Sequence, residues 1–441
     1  MSENSIKDIY ELSPLQEGLL FHSLLNPDAD AYFRQVSYRL HGQLDVSLIE
    51  RSFNVLSERH DALRTVFNYS EDRPPLQIVL KKREVDFHFK DLIESGKNSV
   101  EKQLKEFKQK DRDRSFDLSK DVLIRISLFR LEDGLYELIW SDHHILMDGW
   151  CRSILAEEFV SIYSDLLNGR QSVMPKPTPF SEYITWLGKQ DKAASLDYWS
   201  DYLKGYQTLT GLPKLQPTDI DGTFQDQQLE LRLERSTRLQ LENMATDHNT
   251  TLNVMFSAIW GLIIAKYNNC NDVVFGAVVS GRPPEIRGIE KMVGLFINTI
   301  PVRISFDENQ TFSSLLDELN EQTIESKSHH YCQLAEIQSS SSLKQNLFNH
   351  ILVFENLPEM DKKGSGEADL GFDISYEGSY ERTNYDLDVA VGLGSDLTIK
   401  FTFNENVYHP DFIKGFFDQI KVFVKQIIEN SGILIKGEFD C

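Results

Sequence analysis

Three regular patterns follow one another between residues 122 and 167, and together they leave few folds open. Val122 to Arg130 and Leu135 to Asp142 read as neighbouring strands joined by the turn Glu132-Asp133-Gly134. From about Trp150 to Leu167 the spacing becomes helical, with Ile154, Leu155, Phe159, Ile162, Tyr163 and Leu166 on one side. A hairpin that feeds a helix predicts a mixed α/β chain. Between strand and helix lies Ser141-Asp142-His143-His144-Ile145-Leu146-Met147-Asp148-Gly149-Trp150, at the kind of junction where functional groups collect.

The same alternation of helix and strand runs through the rest. Ser13 before Pro14 predicts a helix start, with Glu17 placed for further capping. A strand over Gln35 to Leu40, an amphipathic helix over Asp45 to Glu58 and a charged helix over Lys97 to Arg112 follow. Asn168 to Pro179, with one glycine and three prolines, reads as a linker. Beyond it come helices around Tyr183 to Tyr206, Ser236 to Tyr267, Phe312 to Lys327 and Pro410 to Ile428. Strands are predicted at Val273 to Val279, Phe296 to Ile304, near His350 to Phe354, Leu387 to Val391 and Leu397 to Phe403, with an exposed loop at Glu359 to Glu367.

A chain of 441 residues is too long for one ordinary core, so two lobes are expected. Hydrophobic residues at 41% and charged residues at 26% place it among globular rather than disordered chains. The net charge of −22 repels phosphates and argues against nucleic acid. Met1 to Tyr10 lacks the apolar stretch of a signal peptide, and no run reaches transmembrane length, so no membrane is expected. Cys151, Cys270, Cys332 and Cys441 are scattered with no CxxC pair, the pattern of a reduced, cytoplasmic protein.

Side chains alternate along a strand, so a strand running through His144 points its two histidines to opposite faces. Leu138, Trp140, Asp142 and His144 then share one face, and Ile139, Ser141 and His143 the other. On the residues alone, three readings stand. The pair is ordinary surface or core, or a metal site with Asp148 that lacks a third clustered ligand, or a base or positioning group beside a helix start. In the last, Gly149 lets a substrate approach the backbone. No Walker loop, GxSxG elbow or HExxH sequence is present, and Cys151 has no base partner signalled.

HHILMDG, residues 143 to 149, matches the His-His-x-x-x-Asp-Gly signature of non-ribosomal peptide synthetase condensation domains. Ser13 to His22 resembles that family's opening motif, and Arg59 to Phe67 its RHxxLRTxF motif. Val279 to Pro283 and Val293 to Thr299 resemble its SGRP and VGxFxNT stretches, and Phe354 to Pro358 and Arg382 to Leu387 two late motifs. The resemblance implies two chloramphenicol-acetyltransferase-like lobes forming a V-shaped pseudo-dimer with a tunnel between them. Residues 1–175 would form the lobe that carries the motif, and residues 176–441 a C-terminal lobe whose strands and loops close the tunnel.

It also implies a reaction. A carrier-bound acceptor amine attacks a carrier-bound donor thioester, both delivered on phosphopantetheine arms of peptidyl carrier proteins, with an adenylation domain adjoining in a larger synthetase. No cofactor is expected on the domain itself. By residue matching, His144 is catalytic and His143 its structural neighbour. Asp148 is architectural and expected to pair with Arg64, and Gly149 lines the reaction centre. His22, Asn298, Thr299 and Trp150 are candidate tunnel-lining residues, each also readable as plain packing, Trp150 below the site. His329-His330 reads as packing or surface. A primary α-amine has a pKa near ~8, so roughly a tenth is neutral at pH 7, and a histidine near ~6.5 can take its proton. Base, positioning and stabilising roles for His144 all remain open.

Rival readings separate on single features. An epimerisation domain shares the motif but carries an EGHGRE-like stretch, and Tyr376-Glu377-Gly378-Ser379-Tyr380-Glu381 lacks the histidine. Heterocyclisation domains replace the histidines with aspartate. A free-standing acyltransferase using coenzyme A, or a non-catalytic domain that recruits carriers or a tailoring enzyme, are the alternatives of other kinds. The forms PLQEGLLFHSLL and HHILMDGWC resemble domains that accept a D-configured donor. No adenylating or carrier domain lies within these residues, so an isolated or excised domain is expected.

Overall fold

The computed structural model describes residues 5–25, 32–70, 72–215, 226–307, 309–355 and 370–435. The expected loop at Glu359 to Glu367 and the end of the Phe354 to Pro358 motif lie outside them. Strands run in the order β1 (Ile6–Glu11), β2 (Phe33–Gly42), β3 (Thr65–Ser70), β4 (Arg73–Leu80), β5 (Asp86–Asp91), β6 (Ile124–Glu132) and β7 (Leu135–His143). There follow β8 (Asp226–Leu233), β9 (Asp272–Val279), β10 (Asn298–Ser305), β11 (Ile351–Glu355), β12 (Phe372–Glu381), β13 (Leu387–Leu393) and β14 (Leu397–Asn404). The helices are α1 (Pro14–Leu25), α2 (Val46–Arg59), α3 (Lys97–Arg114), α4 (Gly149–Leu167), α5 (Ser181–Leu187) and α6 (Lys192–Tyr202). After them come α7 (Arg235–Asp247), α8 (Leu252–Asn268), α9 (Phe312–Ser326), α10 (Leu334–Ser340) and α11 (Pro410–Glu429). This is the mixed α/β fold expected.

The chain forms two compact units that are not contiguous in sequence. The first holds Met1–Gln190 together with Arg282–Ile297 and Pro358–Asn384; the second holds Asp191–Gly281, Asn298–Leu357 and Tyr385–Cys441. These units interleave, unlike the contiguous lobes 1–175 and 176–441 that the resemblance implies. The proline-rich stretch read as a linker is instead tied to the first unit, where Arg59 caps the Pro175 carbonyl at 3.0 Å and Thr178 bonds the Arg287 carbonyl at 3.2 Å. A stretch with three prolines has few backbone N–H groups to offer a ladder, so side-chain bonds such as these take the place of backbone pairing.

The first unit is built on a five-stranded sheet, β12-β2-β7-β6-β5, and a smaller sheet, β1-β4-β3. Only β5 and β6 pair in parallel. Both faces of the large sheet are covered, and the strands obey the period of two. Leu138 and Trp140 join Phe53, Leu155 and Phe159 from α2 and α4 on one face, and Ile139 joins Val100 and Leu104 from α3 on the other. Asp45 caps α2 through the Ser47 and Leu48 amides at 2.8 and 3.2 Å. At α1, Ser13 Oγ accepts from Gln16 N, and Ser13 N donates back to Gln16 Oε1 at 2.8 Å, so Gln16 rather than Glu17 completes the capping box.

The second unit carries a six-stranded mixed sheet, β10-β9-β11-β13-β14-β8. Along β9, Val273 and Phe275 enter the core made with α8, α9 and α11, and Val274 enters the opposite core with Trp199, Ile300 and Ile351. Helix α8 is buried on every side over most of its length. Gly261 lets it approach β10 there, since a Cβ would lie 2.3 Å from Ile304. Among the described residues no helix is long and apolar enough to cross a membrane, and Cys151, Cys270 and Cys332 are unbridged.

Candidate active site

Strand β7 stops one residue earlier than the alternation argument assumed. Its last residue is His143, and His144 opens a single 3₁₀ turn, His144–Leu146. Two hydrogen bonds fix the chain there, the first opening the turn and the second anchoring it to the approach of β2. His143 Nδ1 accepts from Ile145 N at 3.1 Å, and His144 N donates to the Tyr32 carbonyl at 2.8 Å. Tyr32 holds this position with a left-handed backbone (φ 66°), uncommon for a residue with a side chain. The two histidines therefore separate because the strand ends between them, not because a strand places them on opposite faces.

Their environments diverge accordingly. His143 is buried, its Nε2 stands 3.4 Å from Ser23 Oγ, and burial pushes its pKa down to about 3. A pKa that low favours the uncharged ring at neutral pH. The His144 side chain keeps 14% of its surface open, with Nε2 3.3 Å from Glu381 Oε1, while Nδ1 is buried with no hydrogen-bond partner. Glu381, the last residue of β12, went unnoticed in the sequence, although it closes the Tyr376–Glu381 stretch and abuts the Arg382–Leu387 motif. Partial burial pushes its carboxyl up, but the neighbouring His144 ring and the charges of Arg34 and Arg152 outweigh this and hold it below the usual carboxylate range. Behind it, Arg34 on β2 pairs with Asp142 on β7, both fully buried, with Arg34 Nε 2.9 Å from Asp142 Oδ2.

Asp148 does not pair with Arg64. Its partner is Arg282, at 3.1 and 3.3 Å from the two carboxylate oxygens. Oδ1 also caps α4 through Cys151 N at 3.3 Å, Oδ2 accepts from Phe296 N at 3.2 Å, and Asp148 N donates to the Gly294 carbonyl. The SGRP and VGxFxNT stretches thus supply the cradle of the motif aspartate. Arg64 belongs to a different knot. It lies in the turn Asp61–Arg64, from which it donates to the Ser57 and Glu58 carbonyls of α2 and to the Leu80 and Lys81 carbonyls at the end of β4, and pairs with Asp61 at 2.6 Å. In the same motif His60 and Arg59 grip Glu158 of α4 at 2.6 and 2.9 Å, and its carboxyl is held down at about 2 by those bonds against its burial.

The remaining candidates fall into place one by one. Gly149 is the first residue of α4 and half-buried. Trp150 is not a packing residue below the site: its ring is 41% exposed, and its indole N–H donates to the Glu290 carbonyl at 3.0 Å. His22 lies within α1, its ring 6.2 Å from that of Tyr32. Asn298, in the second unit, spends both amide hydrogens on the His330 and Cys332 carbonyls at 2.7 Å, and its neighbour Thr299 pairs across β10 and β9 with Val278. His329 and His330 are tied to Ser195 and Ser326 at 2.9 and 3.1 Å. Cys151 is fully buried, and burial together with Asp148 lifts its thiol to about 12. Among the described residues no group of three or more His, Cys, Asp or Glu side chains could hold a metal ion. The opening motif reaches the site through Gln16 Nε2, which donates to the Ile145 carbonyl at 3.1 Å.

Among the described residues of the motif, His144 Nε2 is the ring nitrogen that lies beside an ionised carboxylate, that of Glu381. The family model described as Condensation domain matches residues 6–436. Tyrocidine synthase 2 of Brevibacillus parabrevis is 41% identical over 98% of the chain, and surfactin synthase subunit 3 of Bacillus subtilis (strain 168) is 37% identical over 97%. The chain spans 12% and 34% of the length of those two proteins. Among solved structures, the starter condensation domain of rhizomide synthetase superposes with a TM-score of 0.77 at 18% identity, over 97% of this chain and 98% of that one, which speaks for the fold.

Proposed function

The chain belongs to the condensation-domain family of non-ribosomal peptide synthetases, enzymes that form peptide bonds, and from that premise we propose that His144 is the residue through which it does so. The observation that carries the assignment is a difference in engagement among the motif's ionisable groups. His143 and Asp148 are buried and engaged in bonds to the surrounding backbone and Arg282, whereas the His144 side chain keeps 14% of its surface exposed and its Nε2 stands 3.3 Å from Glu381.

In the proposed reaction the acceptor's amine nitrogen attacks the carbonyl carbon of the donor thioester. The C–N bond forms, the C–S bond breaks, and the thiol of the donor arm departs. His144 Nε2 takes the proton released from the attacking nitrogen and passes it to the sulfur, help that is typically worth ~10²–10⁴ in rate. Gly149 at the start of α4 leaves room for the reacting groups. The substrates arrive on phosphopantetheine arms of a donor and an acceptor carrier protein, with an adenylation domain in the same cytoplasmic synthetase. The D-configured donor belongs to the same reading.

The test is a condensation assay with L- and D-aminoacyl donors on one carrier and an aminoacyl acceptor on another. Wild-type protein should form the dipeptide, and a folded His144→Ala protein should lose most of that activity. Absence of any product with loaded carriers would favour a recruiting domain, and product with soluble coenzyme A thioesters alone a free-standing acyltransferase.

A further inference from the structure

Glu381 stands on the reacting side of His144. Nδ1 of that ring is buried, so the nitrogen left for chemistry is Nε2, and Glu381 Oε1 lies 3.3 Å from it. That is longer than the ~2.7–2.9 Å of a charge-assisted hydrogen bond, so the two acceptors are neighbours rather than a closed pair. A nitrogen about 2.9 Å from both atoms completes a triangle on that edge and can donate one N–H to each. The carboxylate is 37% exposed, and Arg152 Nη2 touches its other oxygen at 3.6 Å.

The backbone fixes this spacing independently of the side chains. Glu381 sits opposite Arg34 across β12 and β2, and Phe33 opposite His143 across β2 and β7. Just past the strand end, the Arg382 carbonyl accepts from Tyr32 N at 2.9 Å, and the Tyr32 carbonyl accepts from His144 N at 2.8 Å. The Tyr32 hydroxyl donates to Asn384 Oδ1 at 3.1 Å. Residues 381 to 384 thus hold both the peptide of His144 and the carboxylate beside its ring.

From this geometry we infer that Glu381 and His144 form a two-acceptor site for a primary ammonium, the α-amino group of the acceptor. The inference rests on His144 being the reacting imidazole. An α-amine with pKa near ~8 is roughly nine-tenths protonated at pH 7, and a cation leaving water needs an anion beside it. Glu381 supplies that charge. The ammonium loses one proton through His144 Nε2 to solvent. The remaining N–H on Glu381 aims the lone pair at the thioester, and the second proton lost on C–N bond formation ends on the departing sulfur. The charged and titratable groups acting on Glu381 are His144, Arg34 from β2 and Arg152 from α4; behind them His143 acts on His144, and Asp142 and Asp148 act on Arg34.

Gln keeps the shape of Glu381 and discards its charge, so the deficit of Glu381→Gln should depend on the charge of the substrate. At pH 7 kcat/KM for the carrier-bound acceptor should fall about 10- to 100-fold, mostly through KM. At pH 9, where the amine is largely neutral, the deficit should shrink to roughly threefold or less. Glu381→Asp should recover part of the loss, and thermal unfolding of each variant checks that it is folded. A deficit that does not change with pH would make Glu381 an orienter of His144 and overturn the amine site, as would wild-type kinetics at pH 7. A fully active His144→Ala protein would sink the underlying reading instead, and His144→Ala inactive beside an unimpaired Glu381→Gln would sink this inference alone.

Discussion

Burial holds the His143 imidazole at a pKa of about 3, and its Nδ1 receives the amide that turns the chain toward His144. Removing that ring orphans a buried N–H, which costs about 1–3 kcal/mol before any cavity is counted. His143→Ala should therefore show a lowered melting temperature, whereas His144→Ala should melt near wild type and lose most turnover, and calorimetry beside the carrier assay separates the two. Asp148 makes a different case. It is 1% exposed against Arg282, so truncating either partner strands a buried charge, at roughly 3–5 kcal/mol. Asp148→Ala and Arg282→Ala should each unfold at markedly lower urea, and the double variant should lose far less than their sum. Small additive losses would refute a working pair, and a stable Asp148→Asn protein with an altered pH–rate profile would point to proton transfer instead.

The segment Arg282–Ile297 returns from the second unit's stretch of sequence to the first, where it supplies Arg282, Gly294 and Phe296 around Asp148. Gly294 is pressed against Phe180 just before α5: a Cβ there would lie 2.1 Å from the ring. Gly294→Ala should cost about 1–3 kcal/mol by overpacking and lower condensation with it, because the displaced backbone carries the Asp148 contacts. Urea unfolding with unchanged midpoint would show that this close approach is dispensable. The hairpin, the helix after it and the motif between them were legible because local period and turn residues determine them. The SGRP and VGxFxNT stretches were legible as motifs but not as the cradle of Asp148, because that depends on where the chain returns. Arg64 and Arg282 look alike in sequence, and only the turn at Asp61–Arg64 sends the first to the carbonyls of α2 and of the end of β4. Glu381 escaped for a related reason, since a lone acid at the end of an edge strand gains its meaning from a neighbour more than two hundred residues away. Alternation leaves open a strand that runs through His144, because it has no way to see the Ile145 amide that bonds back to His143 Nδ1 and opens the 3₁₀ turn.

Across the whole molecule, buried neutral histidines couple stability to pH in both units. His143 in the first unit, and His330 and His350 in the second, are pushed by burial to about 3, about 4 and about 3. In the unfolded chain each returns to about 6.5, so between pH 6.5 and 4 the unfolded state binds the extra protons. Folded pKa values below the unfolded ones mean that stability is fully present above pH 6.5 and is lost as pH falls. Each residue contributes about 1.4 kcal/mol per pH unit in that window. Glu158, held at about 2, and Glu381, held low, add losses of the same sign only below the ordinary carboxylate range. Moving from pH 7.5 to 5.5 should thus remove on the order of 4 kcal/mol in total, about two thirds of it from the second unit. His350 is flanked by the Trp260 and Phe275 rings, so His350→Phe keeps an aromatic ring in place while deleting one titration. Its urea midpoint should depend less steeply on pH than the wild type's, by about one histidine's share. A wild-type midpoint that holds steady or rises on acidification to pH 5.5 would show that these imidazoles take up protons in the folded state.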